Sequence, residues 1–177
     1  MAWIIVPLLA ALAAAAVTVA LAVRRGLVRL RGDVDDAWRA FAEQLEKRQA
    51  HVTAMTTLCS RLMRYEQEAL DRVSESGRIA LAATARHDIP ALAGAEKSQH
   101  AAVATLLGFA GNYPQFAKSR AFAALVDRLA TLDGRVADRR ELYNEAVSLL
   151  NLRCAVFPSR LVAAFSGYRR AEFLVEA

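Results

Sequence analysis

Hydrophobic positions divide the chain into an uncharged N-terminal run and a series of amphipathic segments. Residues 2–23 contain no charged side chain, and a helix of this length spans roughly 30 Å, the hydrocarbon thickness of a bilayer. The pattern predicts a transmembrane anchor over residues 1–23. From residue 33 onward, apolar residues recur at steps of three and four, which is typical of helices that pack against one another.

The first amphipathic segment predicts a long helix over residues 33–86. It either begins at Asp33, Asp35 and Asp36, acids that suit a helix N-terminus, or continues directly from the anchor. The stripe weakens at Glu66. Its predicted core positions are apolar with one charged exception: Val34, Trp38, Phe41, Leu45, Arg48, Val52, Met55, Cys59 and Leu62.

Arg48 is the charged residue within this stripe. In the ordinary interpretation, the aliphatic part of its side chain lies along the apolar surface and its guanidinium reaches water at the edge of the bundle. The alternative is that Arg48 pairs with a carboxylate that points inward.

The sharpest pattern covers residues 119–156 and predicts another long helix. A seven-residue repeat runs through Phe122, Leu129, Val136, Tyr143, Leu150 and Phe157. A second apolar position follows three residues after the early positions of this repeat and four residues after the later ones. This shift is expected, because a helix of 3.6 residues per turn falls slightly out of step with a seven-residue repeat. A weaker stripe predicts a helix over residues 92–110.

A short helix should follow Pro158, with Ser159 as its cap and Gly167 at its end. No strand-like alternation is sustained anywhere in the sequence. The predicted fold class is therefore all-α: an N-terminal transmembrane helix, then an antiparallel bundle of long helices with coiled-coil-like packing, and a short C-terminal helix.

Charge next to the apolar run predicts its orientation. Four arginines follow it without an intervening acid: Arg24, Arg25, Arg29 and Arg31. Arginines favour the cytoplasmic side, so the N-terminus should lie outside and the bundle in the cytoplasm, as in a single-pass membrane protein. Residues 24–32 form the basic juxtamembrane segment and residues 33–177 the bundle. These arginines either contact anionic headgroups or only set the topology, and the second is the more ordinary interpretation.

A cleaved signal peptide is the main alternative to the anchor. A small-x-small site exists at residues 20–22, and its use would release a periplasmic or secreted bundle. Signal peptides carry their positive charge before the apolar run, whereas here it follows, so a retained anchor is favoured.

Composition offers little catalytic or metal-binding chemistry. The net charge of +5 mixes both signs and forms no basic stripe with aromatics, which argues against nucleic-acid binding. Cys59 and Cys154 fit no zinc spacing and lie on apolar stripes, so they should be reduced core residues. The three histidines share no ligand spacing: His51, His87 and His100. No phosphate loop, dinucleotide fingerprint or nucleophile elbow is present. We expect no catalytic, cofactor or metal residues, and an enzyme is the lesser alternative.

Two sets of polar residues have ordinary structural interpretations. Residues 66–75 are rich in acids but include arginines, and Glu68 and Arg72 are spaced as an ion pair on a solvated helix face.

Asn144 and Asn151 lie seven residues apart. They form either a polar binding strip or, more commonly, side chains that satisfy nearby hydrogen-bonding groups.

The C-terminal third carries a motif series that resembles the signature of the LemA family. Its residues are Tyr143, Asn144, Asn151, Phe157, Pro158, Ser159 and Gly167. The pairs Ala37-Trp38 and Lys47-Arg48 resemble that family's opening helix, although residues 52–56 lack its usual proline and asparagine. The resemblance implies a bacterial protein with one N-terminal membrane helix and a cytoplasmic helical bundle, and supplies no established biochemical role.

The sequence as a whole favours a membrane-anchored, non-enzymatic scaffold or protein-interaction module of the cell envelope. Its expected partners are the lipid bilayer and other envelope proteins or a second copy of itself. Neither nucleic acid nor a small-molecule substrate is expected.

Overall fold

The computed structural model describes residues 2–61, 63 and 66–174. All regular elements in this part of the chain are helices, which confirms the all-α prediction. In chain order they are α1 (Ala2–Ser60), α2 (Gln67–Arg86), α3 (Ile89–Gly111), α4 (Pro114–Ala117), α5 (Arg120–Ala155) and α6 (Ser159–Phe165).

The described residues fall into two compact units. The first contains the N-terminal part of α1 up to Ala37 together with Asn144–Glu172, and the second contains Trp38–Tyr143 together with Phe173 and Leu174. The anchor and the bundle share one unbroken helix, because α1 passes through the acids at residues 33–36 without a new start. Of the two starts that the sequence left open, the continuous one is correct.

The prediction of one helix through residues 33–86 was wrong. α1 ends at Ser60, and α2 begins at Gln67, after Glu66. The Glu66 carbonyl accepts hydrogen bonds from the amides of Ala69 and Leu70, at 3.1 and 3.2 Å, which starts the new helix. The break lets α2 run back along α1 and bury its own stripe. Leu62, predicted to continue the first stripe, lies outside the described residues.

The core of the second unit is built from the predicted stripes. Every predicted α1 core position from Trp38 to Cys59 is buried. Gly77 of α2 lies so close to α1 that a Cβ there would overlap the amide of Gln49. One apolar cluster joins five helices, α1 to α5, through Val52, Met55, Cys59, Met63, Leu70, Val73, Val103, Leu106, Ala110, Phe116 and Leu129.

The short connections in this unit follow from local signals. His87 ends α2 with a left-handed backbone (φ 57°), and Asp88 caps α3 by accepting a hydrogen bond from the Ala91 amide at 3.1 Å. The sequence missed α4, a single turn after Tyr113 whose Phe116 is buried in the core. A four-residue helix has too few positions to display a period.

In the first unit α1 and α5 each bury part of their apolar surface. Leu27 and Val34 are buried on α1, and Val147 and Leu150 are buried on α5. The predicted repeat ends at Leu150, because α5 stops at Ala155 and Phe157 is exposed. Placing Phe157 in the core was therefore an error.

The ends of α6 match the prediction only in part. Gly167 has φ +72°, and the amide of Tyr168 donates to the carbonyl of Ala163 at 3.1 Å, a left-handed helix ending as expected for glycine. Ser159 does not cap the helix. It is the first helical residue and is buried, and Pro158 occupies the cap position without a side-chain bond. The preceding turn supplies the first bond instead, since the Val156 carbonyl accepts from the Arg160 amide at 2.8 Å.

Candidate functional site

The N-terminal part of α1 presents an apolar surface that the described protein does not cover. An 18-residue window in this helix has a mean hydropathy of 1.8, and 6% of it is buried. By length and composition the helix is able to cross a membrane. Arg24, Arg25, Arg29 and Arg31 follow on the same helix with exposed side chains, and Arg31 pairs with Asp35 at 3.4 Å. Contact of these arginines with lipid headgroups stays a prediction.

A polar network crosses the interior of the second unit. Arg48 of α1 is 2% exposed and donates to Asp133 of α5 and to Gln99 of α3. Gln99 in turn donates to Gln49 of α1. The preferred interpretation of Arg48 as a snorkelling side chain at the bundle edge was wrong, and the alternative of an inward carboxylate is correct. A charge that is buried needs such a partner.

A second buried ion pair joins α3 to α5. Nη2 of Arg140 lies 2.7 Å from Oε2 of Glu96, and the two side chains are 11% and 2% exposed. The sequence pattern singled out none of Glu96, Gln99 and Arg140, because the pattern along one helix does not show which residues of another helix face it. These contacts link helices internally and do not line a cavity, which is the arrangement expected of a structural network.

The histidines and cysteines occupy separate structural positions. His51 Nε2 lies 2.8 Å from the carbonyl of Leu125, and the His87 ring stacks on Trp38 at 3.7 Å. Cys59 and Cys154 are free thiols. Burial raises the pKa of the Cys59 thiol to about 11 and raises that of Cys154 as well. Among the described residues, no three His, Cys, Asp or Glu side chains come together as metal ligands would.

An open groove of about 820 Å³ lies between α2 and α3 in the second unit. Acids line one side and partly exposed apolar side chains lie along it, among them Ile79 and Phe109. The acids are Glu66, Glu68, Asp71 and Glu75. The sequence interpretation of this segment as a solvated face holds for Glu68, which pairs with Arg72 at 2.6 Å, but it missed the apolar groove beside the acids.

One acid of this α2–α3 groove is held by the protein itself, and another is paired on the surface. The Tyr113 hydroxyl donates to Glu66 at 2.7 Å, which connects the start of α2 to the end of α3. Arg78 hydrogen-bonds Glu75 and thereby lowers the pKa of that carboxyl. General acids that act near neutral pH need a raised pKa. Glu75 is therefore a surface charge and not a poised catalytic acid.

The C-terminal motif residues are split between packing and exposed positions. Tyr143 is buried against Trp38, with ring centroids 5.4 Å apart. The Asn151 amide exchanges two hydrogen bonds with the backbone of Ala171, both at 2.9 Å. Of the two interpretations offered for the asparagines, the structural one is correct for Asn151. Asn144 is half-buried.

The remaining motif residues lie around α6. Phe157 and Pro158 are exposed, Ser159 is buried and Gly167 closes the helix. The motif therefore marks a folded C-terminal segment in which Asn151 ties the chain after α6 to α5.

Comparison with known protein families gives one match, to the LemA family over residues 37–176. This covers the bundle and the entire C-terminal motif series. The chain belongs to the LemA family. The resemblance that the sequence motifs indicated is thus confirmed over most of the chain.

Two curated relatives of this LemA-family chain come from Paramagnetospirillum magneticum strain AMB-1. The magnetosome proteins MamQ 1 and MamQ 2 are each 30% identical to it over 86 residues, which is 49% of this chain and 32% of the relative. The chain thus spans about a third of the length of these relatives. Together with the family match and the apolar α1, they indicate a membrane-associated helical protein.

Proposed function

We propose that this protein is a membrane-anchored, non-enzymatic helical scaffold that binds other envelope proteins or a second copy of itself. The observation that carries the proposal is α1, whose uncovered apolar part continues without a break into the bundle. In this proposal α1 both anchors the chain and supplies a helix of the bundle.

The same proposal places the N-terminus outside the bacterial inner membrane and the bundle in the cytoplasm. The support is the arginine cluster at residues 24–31, which follows the apolar run and lies exposed on α1. A phosphatase that is active only in the periplasm, fused after residue 177, should be inactive. Activity of this fusion would contradict the topology, and N-terminal sequencing would then test release from a signal peptide.

The partner surface in this proposal is the groove between α2 and α3. Its acids and its apolar side chains suit an amphipathic segment with basic residues. A photoreactive residue at Ile79 or Phe109, both 39% exposed, should form a discrete cross-linked product in cells. The same residue at Leu142, an exposed apolar position on α5, is the matched control. Equal products at all three positions, or none in the groove, would contradict the assignment.

The non-enzymatic part of the proposal has its own support. The buried charges Arg48, Glu96 and Arg140 bind other helices of the bundle and do not converge on an open cavity. We therefore expect purified protein to hold neither zinc nor iron in stoichiometric amounts. Elemental analysis that finds either metal near one atom per chain would contradict this part.

A further inference from the structure

Facing residues show how far α5 extends along α1. Arg48 binds Asp133, and Trp38, ten residues earlier, packs against Tyr143, ten residues later. The two helices are therefore antiparallel and advance at the same rise per residue. Counting on along both helices places Val34 beside Val147 and Leu27 beside Cys154.

The burial pattern of the first unit agrees with this register. Leu27, Val34 and Val147 are buried and Cys154 is partly buried. Ala155, the last residue of α5, then lies level with Gly26. The apolar segment of α1 ends at Val23, so α5 ends within about one helical turn of that boundary.

The chain turns sharply at this level. The axes of α5 and α6 differ by 96°. Because α5 runs alongside α1, a helix at a right angle to α5 lies parallel to the plane of a membrane that α1 crosses. α6 thus has the orientation of an interfacial helix.

α6 has small residues on its buried face and large apolar residues on its exposed face. Ser159 and Ala163 are buried, one turn apart. Leu161 and Phe165 follow at a spacing of four and are 53% and 92% exposed, and Phe157, in the turn before α6, is 77% exposed. Large apolar groups at such spacing would normally face a core. In water this face has no partner among the described residues, whereas the boundary of a bilayer supplies one.

The charges around α6 complement anionic headgroups. Residues 153–172 contain four arginines and a single acid, Glu172. The arginines are Arg153, Arg160, Arg169 and Arg170, all exposed. Arg24 and Arg25 lie at the same level of α1. Basic residues near an anionic lipid surface are attracted to its headgroups.

We propose that α6 and the flanking residues form a second membrane contact, in which Phe157, Leu161 and Phe165 enter an anionic lipid surface. This inference rests on the proposed anchoring by α1. The contact adds a fixed tilt and rotation to the anchor, because a helix in the membrane plane cannot turn freely about α1.

Spin labels on the full-length protein in nanodiscs test this contact. The lipids are phosphatidylethanolamine and phosphatidylglycerol, and the background is Cys154→Ser, since Cys59 is fully buried. Labels at Phe165→Cys and Leu161→Cys should be accessible to oxygen in the bilayer and shielded from a water-soluble nickel chelate. A label at Leu142→Cys, an exposed apolar position of the second unit, should show the reverse order.

A label at Leu12→Cys separates the two proposals. If it is accessible to oxygen and the label at Phe165→Cys is accessible to the chelate, the α6 contact is overturned and the anchor stands. If the label at Leu12→Cys is accessible to the chelate, the anchor itself fails. Shielding of the Phe165→Cys label from both probes, with broadening between chains, would assign the face to a second copy and also overturn the lipid contact.

Charge reversal tests the lipid chemistry. The variant Arg160→Glu, Arg169→Glu, Arg170→Glu should shift the label at Phe165→Cys toward the chelate in the same nanodiscs. An unchanged reading would overturn the part of the proposal that assigns anionic headgroups.

Discussion

Replacing Arg140 with methionine tests whether the buried ion pair with Glu96 stabilises the bundle. Methionine keeps most of the apolar stem and removes the guanidinium. Glu96 is 2% exposed, so its carboxylate would lose its ion-pair partner at 2.7 Å and remain away from water. The carboxylate must then stay buried without a countercharge, take up a proton, or open the packing between α3 and α5.

The expected loss is large compared with the stability of the protein. Removing one partner of a buried ion pair costs about 3–5 kcal/mol, and domains of this size unfold with a total of about 5–15 kcal/mol. Replacing both partners, as in Glu96→Leu with Arg140→Met, removes the stranded charge. That double variant should lie within about 1 kcal/mol of the original protein, because well-packed apolar residues replace such pairs at little cost.

Arg78→Met is the matched control, since Arg78 pairs with Glu75 at 2.6 Å on the surface, with side chains 70% and 54% exposed. An exposed pair contributes less than about 1 kcal/mol. The measurement is urea unfolding of the full-length protein in mild detergent, followed by circular dichroism. The reasoning is refuted if Arg140→Met loses no more stability than Arg78→Met, or if the double variant loses as much as the single one.

Three further predictions follow from burial and hydrogen bonding. Leu129→Asp should lower the free energy of unfolding by several kcal/mol, because Leu129 is in the central apolar cluster, and an unchanged melting temperature would contradict this. At pH 8 the Cys59 thiol should react with a maleimide far more slowly than Cys154, since a pKa of about 11 leaves about one thiolate in a thousand; equal rates would disagree. Asn151→Ala should cost about 1–3 kcal/mol and speed hydrogen exchange of the Ala171 amide, and an unaltered exchange rate would show that the asparagine does not hold that segment.

The sequence by itself indicated the long helices and the candidate membrane helix. Helix periodicity is a local property, so the stripe from Trp38 to Cys59 and the repeat from Leu129 to Leu150 identified core positions that the structure buries. The anchor followed from an uncharged run of bilayer length. The motif around Tyr143 and Gly167 indicated the family, and the family match confirms it.

The ends of elements were predicted less well. The break after Ser60 and the short α4 depend on where neighbouring helices pack, and a weakening stripe at Glu66 was the available signal. Phe157 continued the seven-residue count, but the helix ended two residues before it. A repeat in the sequence cannot show where its helix stops.

Tertiary structure alone decided the partners of the buried charges and the direction of α6. Arg48 and Asp133 are 85 residues apart in sequence, and Glu96 and Arg140 are 44 apart. Whether a charged side chain is solvated or paired depends on the groups that distant segments of the chain bring beside it. The sequence pattern does not show which segments these are. The sequence pattern likewise did not show the 96° angle between α5 and α6 or the exposure of Phe165.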